Sequence, residues 1–164
     1  MEKVKVAVNG YGVIGKRVAE AVTLQDDMEL IGIADIAADW RIQTAESKGY
    51  SIYANTEEGR KLMTRKNIQI AGDLDDLLDG ANVVVDCAPK KFGAQNAEKY
   101  KLSGVKYIVQ GGEKHQTTGH SFSAESNYAT ALGKEATRVV SCNTTSIVRS
   151  LTALKRADLL KKAR

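Results

Sequence analysis

Apolar runs of four to six residues alternate along this chain with longer stretches in which apolar positions recur at helical spacing. The runs predict strands at Val4–Asn9, Glu29–Ala34, Val83–Ala88, Tyr107–Gln110 and Thr137–Ser141, with Ile68-Gln69-Ile70 as one further short strand. The longer stretches predict helices over Gly12–Thr23, Trp40–Lys48, Glu57–Arg65, Leu74–Leu78, Ala94–Ser103, Asn127–Leu132 and Thr144–Lys161. Val83-Val84-Val85 is apolar without a break, which suits a strand covered on both faces. Strands alternating with helices point to an α/β fold with a doubly wound, mostly parallel, Rossmann-type sheet.

Composition narrows this. At 164 residues and 43% apolar content the chain can fill one core, as one domain or one domain with a short overhang. Met1 to Lys5 is charged and runs directly into the first strand, unlike a signal peptide. No segment approaches the ~20 consecutive apolar residues that span a bilayer, so a cytoplasmic protein without membrane contact is expected. Much of the net charge of +4 comes from Lys155, Arg156, Lys161, Lys162 and Arg164 against the single Asp158. That reads as a solvated helix face, and no basic stretch is interleaved with aromatics as single-strand binders require. Nucleic acid is therefore not an expected partner. Cys87 and Cys142, with His115 and His120, complete no metal-ligand spacing or disulfide frame. No linker tract or repeat divides the chain. The last helix runs to Lys161-Lys162-Ala163-Arg164 without a stop signal or closing strand, so the chain is expected to be cut there.

The first chemistry lies after the first strand, in Asn9-Gly10-Tyr11-Gly12-Val13-Ile14-Gly15. The spacing G-x-G-x-x-G has meaning here because a strand precedes it and a helix follows. Gly10 permits the tight turn, Gly12 a close approach of backbone to a pyrophosphate, and Gly15 tight helix packing. Free N–H groups near Val13 and Ile14 would face the phosphates. Asp35, 20 residues beyond Gly15, stands where such domains place the acid that holds the adenosine ribose. A carboxylate there repels a 2′-phosphate, so NAD is expected over NADP.

The second lies in Arg138-Val139-Val140-Ser141-Cys142-Asn143-Thr144-Thr145, a strand running into a helix rich in cap-forming residues. A cysteine at a helix start sees unpaired N–H donors and the positive end of the dipole, which favour a sulfur anion. Cys87, inside an apolar strand, reads as core. A thiol beside a nicotinamide suggests aldehyde oxidation through a hemithioacetal and a thioester. A general base is needed as well. His115 and His120 are the histidines available, and neither carries a cue toward Cys142.

The loop Asn9 to Arg17, the run Gln110-Gly111-Gly112-Glu113-Lys114-His115 and the run Ser141 to Thr145 together resemble glyceraldehyde-3-phosphate dehydrogenases of the archaeal type. The similarity extends from Val4 to about Arg149. The resemblance implies that Cys142 is the nucleophile, and that Ser141, Cys142 and Asn143 contact the aldehyde. It implies cofactor contacts at Val13 and Ile14, near Gly112 and around Pro89, adding to Gly10, Tyr11, Gly12, Gly15 and Asp35. It implies oxidation of glyceraldehyde 3-phosphate with NAD or NADP and inorganic phosphate, in a cytoplasmic homotetramer. Residues 1–141 are then the dinucleotide-binding domain, and 142–164 the start of a catalytic-domain helix. Two departures follow. Archaeal members often use NADP, which Asp35 disfavours. They also continue into a second domain with the catalytic histidine, the phosphate-binding residues and much of the tetramer interface. This chain is expected to bind cofactor with little turnover; a non-catalytic NAD(P)-binding module is the alternative. Ser146 stands where alanine is more usual.

Overall fold

The computed structural model describes residues 2–110 and 112–163. The first strand, β1 (Val4–Asn9), leads through the glycine loop into α1 (Val13–Thr23) and then β2 (Met28–Asp35). Next come α2 (Trp40–Ser47), β3 (Ile52–Ala54), α3 (Glu57–Arg65), β4 (Ile70–Asp73) and α4 (Leu74–Asp79). The second half holds β5 (Val83–Asp86), α5 (Phe92–Ser103), β6 (Lys106–Val109), β7 (Ser121–Phe122), α6 (Ala124–Ala131), β8 (Ala136–Val139) and α7 (Cys142–Arg156).

Among the described residues the strands form one sheet in the order β4-β3-β2-β1-β5-β6-β8-β7, and every pairing is parallel. The order reverses at β1. Strands β2, β3 and β4 build outward to one side of it and β5, β6, β8 and β7 to the other, so the expected doubly wound sheet is present.

Alternation along the strands assigns the two covered faces. Ala7, Ala34, Val84 and Tyr107 pack with Leu74, Leu77 and Leu78 of α4 and Ala97 and Tyr100 of α5. Val8, Ile33 and Ile52 pack with Ala19 of α1, Ile42 and Ala45 of α2 and Met63 of α3. Neither α6 nor α7 has a buried residue. The sheet is thus thickly covered around β1 and thinly at the β8 side.

Several boundaries move. Strands β3 and β7, three and two residues long, were not expected, and β4 begins at Ile70 where the expected short strand ended. Helix α6 starts at Ala124 rather than Asn127, which has non-helical dihedrals within it. Helix α7 starts two residues early at Cys142 and ends at Arg156, not Lys161. It does carry a stop. Asp158 takes the left-handed conformation (φ 55°), and the N–H groups of Asp158 and Leu159 return to the carbonyls of Lys155 and Leu154. Aspartate tolerates that backbone better than most residues do, so the helix closes without glycine.

Candidate functional site

Five neighbouring parallel strands end on the same edge of the sheet, and each delivers residues singled out in the sequence. Across the edge these are Asp35 at the end of β2, the glycine loop after β1, Cys87 to Pro89 after β5, Gln110 and Gly112 after β6, and Ser141 to Cys142 after β8. From β2 to β8 is four strand spacings, roughly 19 Å at ~4.8 Å each. A cleft of about 1630 Å³ opens along this edge, lined by Gly10, Gly12, Val13, Ile14, Asp35, Pro89, Gly112, Ser141 and Cys142. Gly111 of the second motif lies outside the described residues.

The glycine loop is shaped by close contacts. Gly10 has φ +93°, and a Cβ there would sit 3.0 Å from the backbone of Cys87 and Ala88. A Cβ on Gly15 would lie 1.9 Å from the Gly10 carbonyl oxygen, so α1 starts directly against the loop. At Gly12 a Cβ would meet only Arg41 Nη1, at 3.8 Å; otherwise it would enter the cleft. Gly12 is the N-cap of α1 and no side chain caps that helix, so its first-turn N–H groups remain available to an anion. This fits a pyrophosphate.

Tyr11 and Gly15 are buried and do not reach the cleft. The Tyr11 ring packs edge-on against Tyr50, and burial raises its hydroxyl pKa. Its backbone N–H donates to Asp35 Oδ2 at 2.6 Å, and that of Ala37 donates to Asp35 Oδ1 at 2.9 Å. Asp35 therefore ties the end of β2 to the loop. Beside it, Asp39 caps α2 and pairs with Arg41, whose Nε donates to Asp39 Oδ2 at 2.9 Å. The Arg41 side-chain hydrogen bonds hold the Asp39 carboxyl below the usual carboxylate range.

The middle of the edge rests on a buried polar network. Asp86, fully buried, accepts hydrogen bonds from Tyr100 Oη (2.6 Å), Asn96 Nδ2 (2.7 Å) and the Ala88 N–H (2.9 Å). Asn9 Nδ2 donates to Tyr100 Oη at 2.7 Å, and Asn55 Nδ2 donates to Asn9 Oδ1 at 2.8 Å. Asn9, Asn55 and Asn96 form part of the cleft wall. Cys87 also touches it, but burial, with Asp86 next to it, pushes its thiol up to about 12.

Cys142 is different. It is exposed at the first position of α7, where Ser141 Oγ caps the helix by accepting the Thr144 N–H at 3.2 Å. Its Sγ lies 3.9 Å from Asn143 Oδ1, although Asn143 itself does not line the cleft. At helical spacing behind Cys142, α7 presents Thr145, Ser146, Arg149, Ser150 and Ala153 to the cleft.

Neither histidine serves Cys142. His120 shares hydrogen bonds with Thr137 Oγ1 (2.6 Å) and Thr130 Oγ1 (2.9 Å), His115 with Ser121 Oγ (2.9 Å), and neither lines the cleft. Arg41, Asn55 and Arg149 are cleft residues that the sequence did not single out. Arg41 had a signal: a cation six residues after the acid of β2, where such folds can place an arginine for a 2′-phosphate. Among the described residues no His/Cys/Asp/Glu cluster could hold a metal, and no helix is long and apolar enough to cross a membrane.

Residues 4–144 match the family model described as dihydrodipicolinate reductase, N-terminus. Curated relatives include the glyceraldehyde-3-phosphate dehydrogenase of Methanococcoides burtonii, 50% identical over 164 residues, covering 100% of this chain and 49% of the relative. That of Methanothermus fervidus is 48% identical over 159 residues, covering 97% of this chain and 47% of the relative. The chain therefore spans about half the length of the curated relatives it matches. Among solved structures, apo scyllo-inositol dehydrogenase from Lactobacillus casei superposes with a TM-score of 0.55 at 12% identity, over 94% of this chain and 42% of that one, a likeness of fold alone.

Proposed function

From a chain that belongs to the Rossmann-type family described as dihydrodipicolinate reductase, N-terminus, in a form half-identical to archaeal glyceraldehyde-3-phosphate dehydrogenases, we propose the cofactor-binding portion of a phosphorylating aldehyde dehydrogenase. One observation carries this: a single cleft is lined both by the uncapped start of α1 and by the exposed thiol that heads α7.

In this reading residues 1–141 bind NAD(P) and 142–164 begin the catalytic domain. The N–H groups of the first turn of α1, near Val13 and Ile14, hold the pyrophosphate across Gly10 and Gly12. Asp35 flanks the adenosine ribose, and Pro89 and Gly112 flank the remainder of the cofactor. Tyr11 and Gly15 act from beneath, by fixing the loop. Bound NAD(P) supplies a hydride acceptor. The sulfur of Cys142, as thiolate, adds to the carbonyl carbon of the aldehyde and forms a hemithioacetal. Loss of its hydroxyl proton and of a hydride leaves a thioester on Cys142. Inorganic phosphate attacks that carbon, the sulfur departs as thiolate, and an acyl phosphate is released. Ser141 and Asn143 border the acyl group. The aldehyde of the complete enzyme is glyceraldehyde 3-phosphate, its assembly a homotetramer, and its compartment the cytoplasm.

The positions of the histidines favour a second reading for the chain by itself. With both engaged elsewhere, no imidazole is placed to take the hemithioacetal proton. This chain then binds cofactor and turns over little, as a non-catalytic NAD(P)-binding module would. Two measurements test the proposal. Dinucleotide should raise the thermal midpoint in proportion to RT ln(1 + [L]/Kd). Iodoacetamide at pH 8 should label Cys142 in the folded chain and leave Cys87 unmodified until denaturant is added. A midpoint indifferent to both NAD and NADP, or an inert Cys142, overturns it.

A further inference from the structure

The buried network beneath the cleft has a direction, and that direction reaches the cleft surface. It ends on Asp86, which as a carboxylate only accepts. Its donors are Tyr100 Oη at 2.6 Å, Asn96 Nδ2 at 2.7 Å and the Ala88 N–H at 2.9 Å. Tyr100 has a single O–H and directs it to Asp86, so its oxygen can only accept from Asn9. The Asn9 amide must therefore turn Nδ2 toward it, at 2.7 Å. Burial, with Asp86 beside it, raises the Tyr100 pKa, so the hydroxyl keeps its proton. With Nδ2 committed, Asn9 has its carbonyl oxygen left for Asn55, which donates Nδ2 to it at 2.8 Å. Asn55 in turn is left with Oδ1, which has no hydrogen-bond partner among the described residues, and Asn55 lines the cleft. Asn55 follows β3, next to the end of β2, and its N–H donates to the Asp35 carbonyl oxygen at 3.0 Å. In the dinucleotide reading this is the adenosine end of the cleft.

We propose that this relay turns Asn55 Oδ1 into the cleft as a fixed acceptor for the exocyclic amino group of adenine, and so selects the base of the dinucleotide. The proposal rests on the dinucleotide reading of the cleft. A ribose hydroxyl can donate or accept and has no need of a neighbour with fixed polarity. The adenine amino group only donates, and a purine with oxygen in its place would set acceptor against acceptor. An unrestrained asparagine would rotate its amide and suit either base. Rotation of Asn55 would instead set its oxygen against that of Asn9. Asn9 could follow only if Tyr100 withdrew its O–H from the buried Asp86. Asp86, Tyr100 and Asn9 are thus positioning residues that act through Asn55.

Titration of the full chain with NAD and with nicotinamide hypoxanthine dinucleotide, which carries oxygen where adenine carries the amino group, tests this. Wild type should bind NAD about tenfold or more tightly, as a site with an unmatched polar group does. Asn55→Ala removes the acceptor, and the preference should fall below about threefold. Asp86→Asn is the sharper variant. The Ala88 N–H keeps the remaining oxygen, so the new amide nitrogen faces Tyr100, which then donates to Asn9. Both asparagines turn over, and Asn55 presents Nδ2 to the cleft. The preference should then move toward hypoxanthine, which a loss of packing alone would not cause. Should Asp86→Asn fail to fold, Asn55→Ala decides. Equal wild-type affinities overturn this proposal alone, as does a preference that survives in Asn55→Ala or does not shift in folded Asp86→Asn. A wild type that binds neither dinucleotide overturns the cleft reading along with it.

Discussion

Two helices begin in the same cleft and are built in opposite ways. The tip of α1 has no side-chain cap, yet its body is locked into the core by Gly15, Ala19 and Val22. The tip of α7 is capped by Ser141, yet none of its residues is buried. An uncapped helix start is a cost unless something accepts its N–H groups; packing of the body lets α1 bear that cost. Helix α7 has no such support. It draws on its own cap, its Asp158 stop, and the hydrogen bond from Arg156 Nη2 to the Glu125 carbonyl oxygen at 2.7 Å. A fixed platform leaves its N–H donors open, while a loosely seated helix carries the exposed thiol of Cys142.

The largest test of that contrast is Gly15→Ala. The added methyl would lie 1.9 Å from the Gly10 oxygen, so either the loop or the helix must move. Denaturant unfolding should show a loss of roughly 3 kcal/mol or more, at the upper end of overpacking effects. A loss below about 1 kcal/mol would show that α1 is not fixed as described. Hydrogen exchange sharpens the contrast from the other side. Amides in the middle of α1 should exchange through near-global unfolding, and those of α7 through local opening, with protection lower by roughly 2 kcal/mol or about thirtyfold. Equal protection would break the comparison. Ser141→Ala should cost about 1 kcal/mol or less, the usual worth of a hydroxyl cap, and should lower the protection of α7 without changing that of α1.

A third helix tip provides the reference for the smallest effect. Helix α4 has a complete capping box, in which Asp73 accepts the Asp76 N–H and Asp76 accepts that of Asp73. The Asp76 backbone hydrogen bond, above all, lowers the Asp73 pKa in the folded state. A carboxylate lowered on folding adds stability above its unfolded pKa of ~3.9, and that stability disappears as pH falls through the folded value. Because Asp73 is largely exposed, the contribution should be a few tenths of a kcal/mol. It should show as a shallower loss of stability below pH 4 in Asp73→Asn. The tips of α1 and α7 have no acid in the first turn and should contribute no such slope.

How far the sequence disclosed all this depended on the length of each signal. Val4–Asn9 and Glu57–Arg65 fall where periodicity placed them, because a sustained pattern pins both ends. Ile52–Ala54 and Ser121–Phe122 are too short to show alternation, and they exist as strands through pairing with neighbours far along the chain. The stop at Asp158 was invisible because aspartate seldom announces a left-handed turn. Within the site, the glycine loop and Cys142 were legible from local spacing. Asn55 and Arg149 were not, since only the packing of β3 and α7 around the strand edge turns them toward the cleft, and Arg41 had only its distance from Asp35 to mark it. The same limit applies to the histidines, whose hydroxyl partners lie 6 to 17 residues away.

The reversal of strand order at β1 has a kinetic consequence. Gly10 meets Cys87 and Ala88 because β1 pairs with β5, with Val6 opposite Val83. More than seventy residues must be looped out before that register can form, a non-local closure of the kind that slows folding. The crevice floor cannot exist in a nascent chain that has not yet extended past Asp86. Recovery of dinucleotide affinity during refolding would then report completion of the central sheet, and should lag behind the return of helical signal.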